Sequence, residues 1–144
     1  QKETNDPLSI ELVAACEKND VNRVKELLAK GADPNAFYRG WTPLTIGACW
    51  SIELVNVLLE HGARINLQTK EWTPFTAAAD HAVASGDRAI MEYLAKKGAD
   101  ETLASRNGMT ALHCASALGD ISLIERFIKK GVPINAVTET GVTP

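Results

Sequence analysis

With 144 residues, 45% of them hydrophobic and 23% charged, and a formal net charge of −3, the chain has apolar material for one folded domain and not the composition of a disordered, collagenous or membrane-spanning protein. Apolar runs last only a few residues and no charged-then-apolar leader opens the sequence, so neither a transmembrane helix nor a secretory signal is expected, and no membrane partner. The acidic balance argues against a nucleic-acid backbone as partner, which calls for a basic face.

In chain order, the polar start QKETND, without a Met, is expected of a processed or partial chain. The stretch LSIELVAACEKNDVNRVKELLAKGADPN then predicts two helices broken at Asn19, a residue type that tolerates positive φ, and closed at Gly31. Thr42-Pro43 predicts the next helix start: Thr accepts from an orphan amide, and Pro at the first helical position loses no needed donor. The same signal recurs at Thr73-Pro74, at Thr110-Ala111 and at Thr143-Pro144, with spacings of 31, 37 and 33 residues between successive threonines. Breaks at Ser51, Gly86 and Gly119 divide each unit into two helices, and Gly62, Gly98 and Gly131 close the second ones. Counting back from the closing glycines brings Leu27/Leu28, Leu58/Leu59, Leu94/Ala95 and Phe127/Ile128 into register, with Val24, Val55, Met91 and Ile124 one turn earlier. This is a helical apolar stripe. A helix pair this short cannot bury its stripe alone, so successive pairs must stack into a solenoid with one shared core.

TPLTIGACWSIELVNVLLEHGARIN and MTALHCASALGDISLIERFIKKGVPIN resemble ankyrin repeats, with their TPLHxA signature and period of about 33 residues. The resemblance implies an all-α, ankyrin-type helix-turn-helix solenoid with short β-hairpin loops, forming a single domain over residues 1–144. Its divisions are expected at 7–36 (an amino-terminal capping repeat), 37–67, 68–104 (with a one-turn insertion), 105–136 and 137–144 (the start of a fifth repeat). The second repeat is one residue short in its inter-helix turn and in its hairpin. About four extra residues in TAAADHAVASGD should make residues 77–84 protrude. Arg88 replaces an aliphatic residue and Glu71 a turn glycine, and both are expected to distort the backbone locally. Leu118, Ile121, Leu123, Ile124, Phe127 and Ile128 exceed what one side of the last pair can bury, which predicts further repeats, or another molecule, against that end.

The family's use of its concave surface implies protein binding through hairpin tips and first-helix fronts. Register from each Thr assigns Tyr38, Arg39, Trp41, Cys49 and Trp50 to that surface, then Thr69, Lys70, Trp72, Asp80 and His81, then Arg106, Asn107, Met109, Ala117 and Leu118. The contact strip expected is Tyr38, Arg39, Trp41, Trp50, Lys70, Trp72, His81, Arg106 and Met109, because Trp, Tyr and Arg combine large apolar area with a polar handle. The indoles are expected to project into solvent. The plainer alternatives are that Trp41 and Trp72 lie across neighbouring hairpins for stability alone, and that Trp50 turns into the core. Arg39, Lys70 and Arg106 form a candidate cationic ladder, suited to a peptide or globular surface with carboxylates or phosphates around apolar anchors, or else are solvated tips.

Two other functions stay open at this level: a nucleotide-sensing or single-strand-binding module that stacks bases on Trp beside Arg and Lys, and the targeting domain of a larger enzyme. Catalysis within the chain is not expected. Cys49, Asp80 and His81 are the nearest thing to a nucleophilic set, but no oxyanion pocket or glycine-rich loop accompanies them. No cofactor is expected, and no metal, since no cysteine or histidine pair has ligand spacing. The odd number of cysteines, Cys16, Cys49 and Cys114, predicts free thiols in a reducing, cytoplasmic or otherwise intracellular setting. His61 is expected at a helix end, and His113 resembles the family histidine that bonds between hairpins. Asn35, Asn66 and Asn135 resemble hairpin asparagines that an asparaginyl hydroxylase modifies in some ankyrin repeats. Their plainer role is to form the turn.

Overall fold

The computed structural model describes residues 2–144. Among these, eight helices follow one another: α1 (Pro7–Glu17), α2 (Val21–Ala29), α3 (Pro43–Gly47), α4 (Ile52–Glu60), α5 (Pro74–Ser85), α6 (Ala89–Lys96), α7 (Ala111–Ala117) and α8 (Ile121–Lys130). The starts of α3, α5 and α7 are capping boxes: Thr42, Thr73 and Thr110 accept from the backbone of Thr45, Thr76 and His113, whose side chains accept in return from the cap N–H. Asp6, Asp20, Ser51 and Asp120 cap α1, α2, α4 and α8 through side-chain oxygens.

α1, α3, α5 and α7 pack side by side as a front row, while α2, α4 and α6 continue behind them with α8. The stripe lies between the rows: Leu12, Val24, Leu27, Leu54, Leu58, Phe75, Met91, Leu94, Leu123 and Phe127 are all buried. Phe75 of α5 meets Phe127 of α8 edge to face, with ring centroids 6.0 Å apart. On the back, the buried Glu101 carboxylate accepts from Arg126 at 2.9 Å and pairs with Lys130 at 3.2 Å, and Arg126 also pairs with Glu92.

The structure corrects some expectations from the sequence. The added turn lengthens α5 to 12 residues, but Ala77, Ala78, Ala79 and Ala82 are buried, and of residues 77–85 only Asp80, Ala84 and Ser85 are exposed. Alanine is small enough to let an extended helix stay against its neighbours. Arg88 stands at the N-cap of α6 with φ −93° and ψ 1° and, unlike the other seven N-caps, makes no side-chain cap hydrogen bond. Its guanidinium reaches both oxygens of Asp120 at 3.0 Å and Ser122 at 3.2 Å, tying the third pair to the cap of α8. The last pair buries Leu123 and Phe127 fully, while Leu118 (67%), Ile121 (69%) and Ile128 stay exposed.

Candidate functional site

The loops between helix pairs rise to tips. At the first, Tyr38 and Trp41 exchange backbone hydrogen bonds of 3.0 Å, the one β-bridge among the described residues, so the expected hairpins are tips and not strands. Arg39 (φ 52°) and Gly40 (φ 86°) make this turn with two left-handed residues, the geometry of a two-residue hairpin. At the second tip, where Glu71 replaces glycine, neither Lys70 nor Glu71 has a positive φ. Trp72 N–H donates there to the Thr69 hydroxyl at 3.0 Å, and Thr69 N–H to Trp72 O at 2.8 Å. Thr69 is buried, against its assignment to the open surface. The tips at 105–109 and 138–142 are one residue longer.

Neighbouring tips are stitched together. Arg106 and Asn107 N–H donate to Thr69 and Lys70 O at 3.0 and 2.9 Å, and Glu139 N–H donates to Asn107 O at 2.8 Å. His113 adds a second link: Nδ1 accepts from Thr110 N–H at 3.1 Å, so the ring proton sits on Nε2 and donates to Val142 O at 3.2 Å. Gly108 lies where this stitching is closest. A Cβ there would stand 2.7 Å from Val137 O at φ +88°, whereas one on Gly40 would meet nothing within 4 Å. Gly40→Ala is therefore expected to cost about 1 kcal/mol of left-handed strain, and Gly108→Ala clearly more. Urea titration of the two variants checks the order, and equal midpoints would show that the third and fourth tips are apart in solution.

Between the first and second tips there is, among the described residues, no such backbone bond. The position equivalent to His113 is Thr45, which satisfies Thr42 N–H at 2.9 Å but has no ring to reach onward. At this joint Trp41 and Trp72 stack, with centroids 6.4 Å apart and planes 21° from parallel. Both are half-buried against the core and do not project freely into solvent. Each indole immediately precedes a helix cap, Thr42 or Thr73.

Trp50 behaves differently. α3 ends at Gly47, Trp50 N–H closes the turn onto Gly47 O at 3.0 Å, and Ser51 at once caps α4. The missing residue in this turn leaves the indole outside, 53% exposed, and not in the core. It borders a front groove of about 570 Å³ lined by Glu17 of α1, Trp41, Ile46 and Cys49, Trp50, and His81 of α5. A second hollow of about 420 Å³ lies on the other side of α5, bordered by Trp72, Asp80, Met109 and His113 among others. Of the expected strip, Trp41, Trp50 and His81 share the first groove, and Trp72 and Met109 the second. Arg39, Lys70 and Arg106 stand exposed on the tips with no ion-pair partner among the described residues, Arg39 lying 5.2 Å from the centre of the Tyr38 ring. Register from each Thr leaves out Glu17, because α1 starts at Asp6-Pro7 and has no Thr to count from.

The groove is poorly suited to nucleophilic chemistry. Cys49 Sγ donates to Thr45 O at 3.6 Å, and burial, then the Asp80 carboxylate, push its thiol up, away from the thiolate form. Burial pushes Cys16 and Cys114 up to about 12. No group of three or more potential metal-ligating side chains is found among the described residues. His61 caps α4, its Nδ1 2.8 Å from Val57 O. Asn35 accepts from Arg64 N–H at 2.7 Å and donates to Gly62 O at 3.0 Å, and Asn66 accepts from Asp100 N–H at 2.9 Å. Asn135 is exposed and has no such partner among the described residues.

Stacked helix pairs, capped by Thr boxes and joined through their tips, define a repeat protein of the ankyrin class. Residues 9–69 match a family model described as ankyrin repeats (3 copies) and residues 79–128 one described as ankyrin repeats (many copies), and the chain belongs to the ankyrin repeat family. It is similar to the mitochondrial disaggregase of Bos taurus, with 33% identity over 140 residues, 92% of this chain. The chain spans 20% of that protein's length. Ankyrin repeats are protein–protein interaction modules. No helix among the described residues is long and apolar enough to cross a membrane.

Proposed function

We propose that the chain is a non-enzymatic scaffold or adaptor that binds a protein partner through its tips and first-helix fronts. The observation that carries this reading is the front groove with the exposed Trp50 on its rim. A concave, largely apolar recess beside an aromatic anchor is where binding energy concentrates. The partner presents apolar anchors to the grooves, and carboxylates or phosphates to Arg39, Lys70 and Arg106. The exposed Leu118, Ile121 and Ile128 support a further contact on the last helix pair, with another repeat or another molecule. Three free thiols suit a reducing, intracellular setting.

Trp50→Ala removes an exposed side chain and is expected to leave the melting transition within about 0.5 kcal/mol of the parent. Capture of the partner from cognate lysate is expected to drop at least tenfold. Undiminished capture by a folded Trp50→Ala variant contradicts the reading. The likeness to a disaggregase of which the chain spans 20% supports a second reading, in which the repeats target a larger enzyme. Hydroxylation of Asn35, Asn66 or Asn135 is a separate proposal, read as a mass gain on those residues in protein from its native source. Asn135 is the one of the three whose amide has no hydrogen-bond partner among the described residues.

A further inference from the structure

We propose that Arg64 and Arg106 together take an acidic side chain of the protein partner, a glutamate- or aspartate-type carboxylate, in the recess between the loop after α4 and the tip at 105–109. The inference rests on the protein-binding reading above and names the chemistry of one contact within it. The recess, of about 440 Å³, is lined by Arg64, Ile65, Asn66, Leu67 and Gln68 from that loop and by Arg106 from the tip, and no acid contributes to it. The arginines of the chain differ in what holds their charge. Arg23 pairs with Glu11 and Glu26, Arg88 with Asp120, and Arg126 with Glu92 and Glu101, while Arg39 lies over the Tyr38 ring. Arg64 and Arg106 are the two left with neither carboxylate nor ring among the described residues, and both open, exposed, onto the same recess.

Their backbones are fixed while their side chains are free. Arg64 N–H donates to Asn35 Oδ1 at 2.7 Å and Arg106 N–H to Thr69 O at 3.0 Å, and Gln68 Nε2 ties the two walls together by donating to Ala104 O at 2.6 Å. Asn66 supplies a further donor: its Oδ1 accepts from Asp100 N–H, whereas its Nδ2, the group that in Asn35 donates to Gly62 O, has no acceptor among the described residues. A guanidinium offers paired N–H groups that match the two oxygens of a carboxylate, and two unneutralised guanidiniums at one recess attract an anion and repel a cation. Ile65 and Leu67, half-buried in the same lining, offer apolar contact to the stem that carries the carboxylate. A phosphate dianion is the weaker match. Its sites gather backbone N–H groups at a helix N-terminus or a nest, and no helix start lines this recess. The net charge of −3 disfavours a polyanionic strand as well.

The test follows the arginine side-chain Nε–H signals in heteronuclear NMR spectra during titration with two capped tripeptides, Leu-Glu-Leu and Leu-Gln-Leu, and with a short oligothymidylate. The glutamate peptide is expected to shift the Arg64 and Arg106 signals saturably, and the glutamine peptide to bind at least about threefold more weakly. In the Arg64→Gln/Arg106→Gln variant, which keeps both backbone donors, the glutamate affinity should fall to that of glutamine. Lys96→Gln/Lys129→Gln removes the same charge at exposed positions elsewhere and should leave it unchanged. Partner capture from cognate lysate should drop at least about threefold in the arginine variant, and capture by the parent should survive phosphatase treatment of the lysate. Equal response to glutamate and glutamine, tighter binding of the oligothymidylate, unchanged glutamate affinity in the arginine variant, equal loss in the lysine variant, or capture abolished by phosphatase overturns the proposal. If the arginine variant keeps full partner capture while Trp50→Ala loses it, the acidic-side-chain inference fails and the protein-binding reading stands. Full capture by both variants removes both.

Discussion

Phe127→Ala is expected to lower the unfolding free energy by about 3–5 kcal/mol, the range for emptying an aromatic site in a packed core. Phe127 is fully buried on α8, and its ring meets Phe75 of α5, itself 1% exposed. This contact ties the fourth helix pair to the third. In a stack where each unit touches only its neighbours, weakening one interface releases the unit beyond it before the rest melts. The variant should therefore show early loss of α7 and α8, read as faster amide hydrogen exchange in those helices than in α1 to α4. Ile128→Ala, at an exposed position on the same helix, is expected to cost below about 1 kcal/mol. Similar destabilisation by the two variants, or uniform exchange, would contradict the packing described for α8.

The Trp41→Ala/Trp72→Ala double variant is expected to lose about 2–4 kcal/mol of stability, from half-buried indole area together with the stacking term. From the sequence these rings are expected to project into solvent, with stacking across neighbouring hairpins as the plainer alternative. In the structure they stack on each other at the joint between tips where neither the inter-tip backbone bonds nor a histidine bridge is present. A double-mutant cycle should give a coupling of about 0.5–1.5 kcal/mol between the two positions. Additive single effects would mean that the rings do not stack in solution. Because partner capture by this double variant mixes stability with contact, Trp50→Ala is the cleaner probe of the surface.

The repeat architecture was legible in the sequence because its signals are local. A Thr that caps, a Pro that tolerates the first turn, a Gly that closes and an apolar residue every three or four positions act within one helix, and their recurrence implies stacking. His113 and the asparagines at the loop ends were legible for the same reason, since a repeating motif places a donor against its copy one unit on. What a side chain does where two units meet is not local. In the sequence Arg88 occupies an aliphatic slot, and its partner Asp120 lies 32 residues later. Trp41 and Trp72 occupy equivalent slots, and only the distance between adjacent tips turns them into a stack.

The groove is a product of tertiary structure in the same sense. Glu17, Trp50 and His81 lie on three successive helix pairs, and their convergence depends on how far each front helix is offset from the next. By itself the sequence determined the class of fold, the helix starts and stops, and the apolar stripe. Tertiary structure alone decided which tryptophan stands in solvent, which side chains share a recess, and that the longer α5 stays packed, because burial is set by neighbours about 30 or more residues away in the chain.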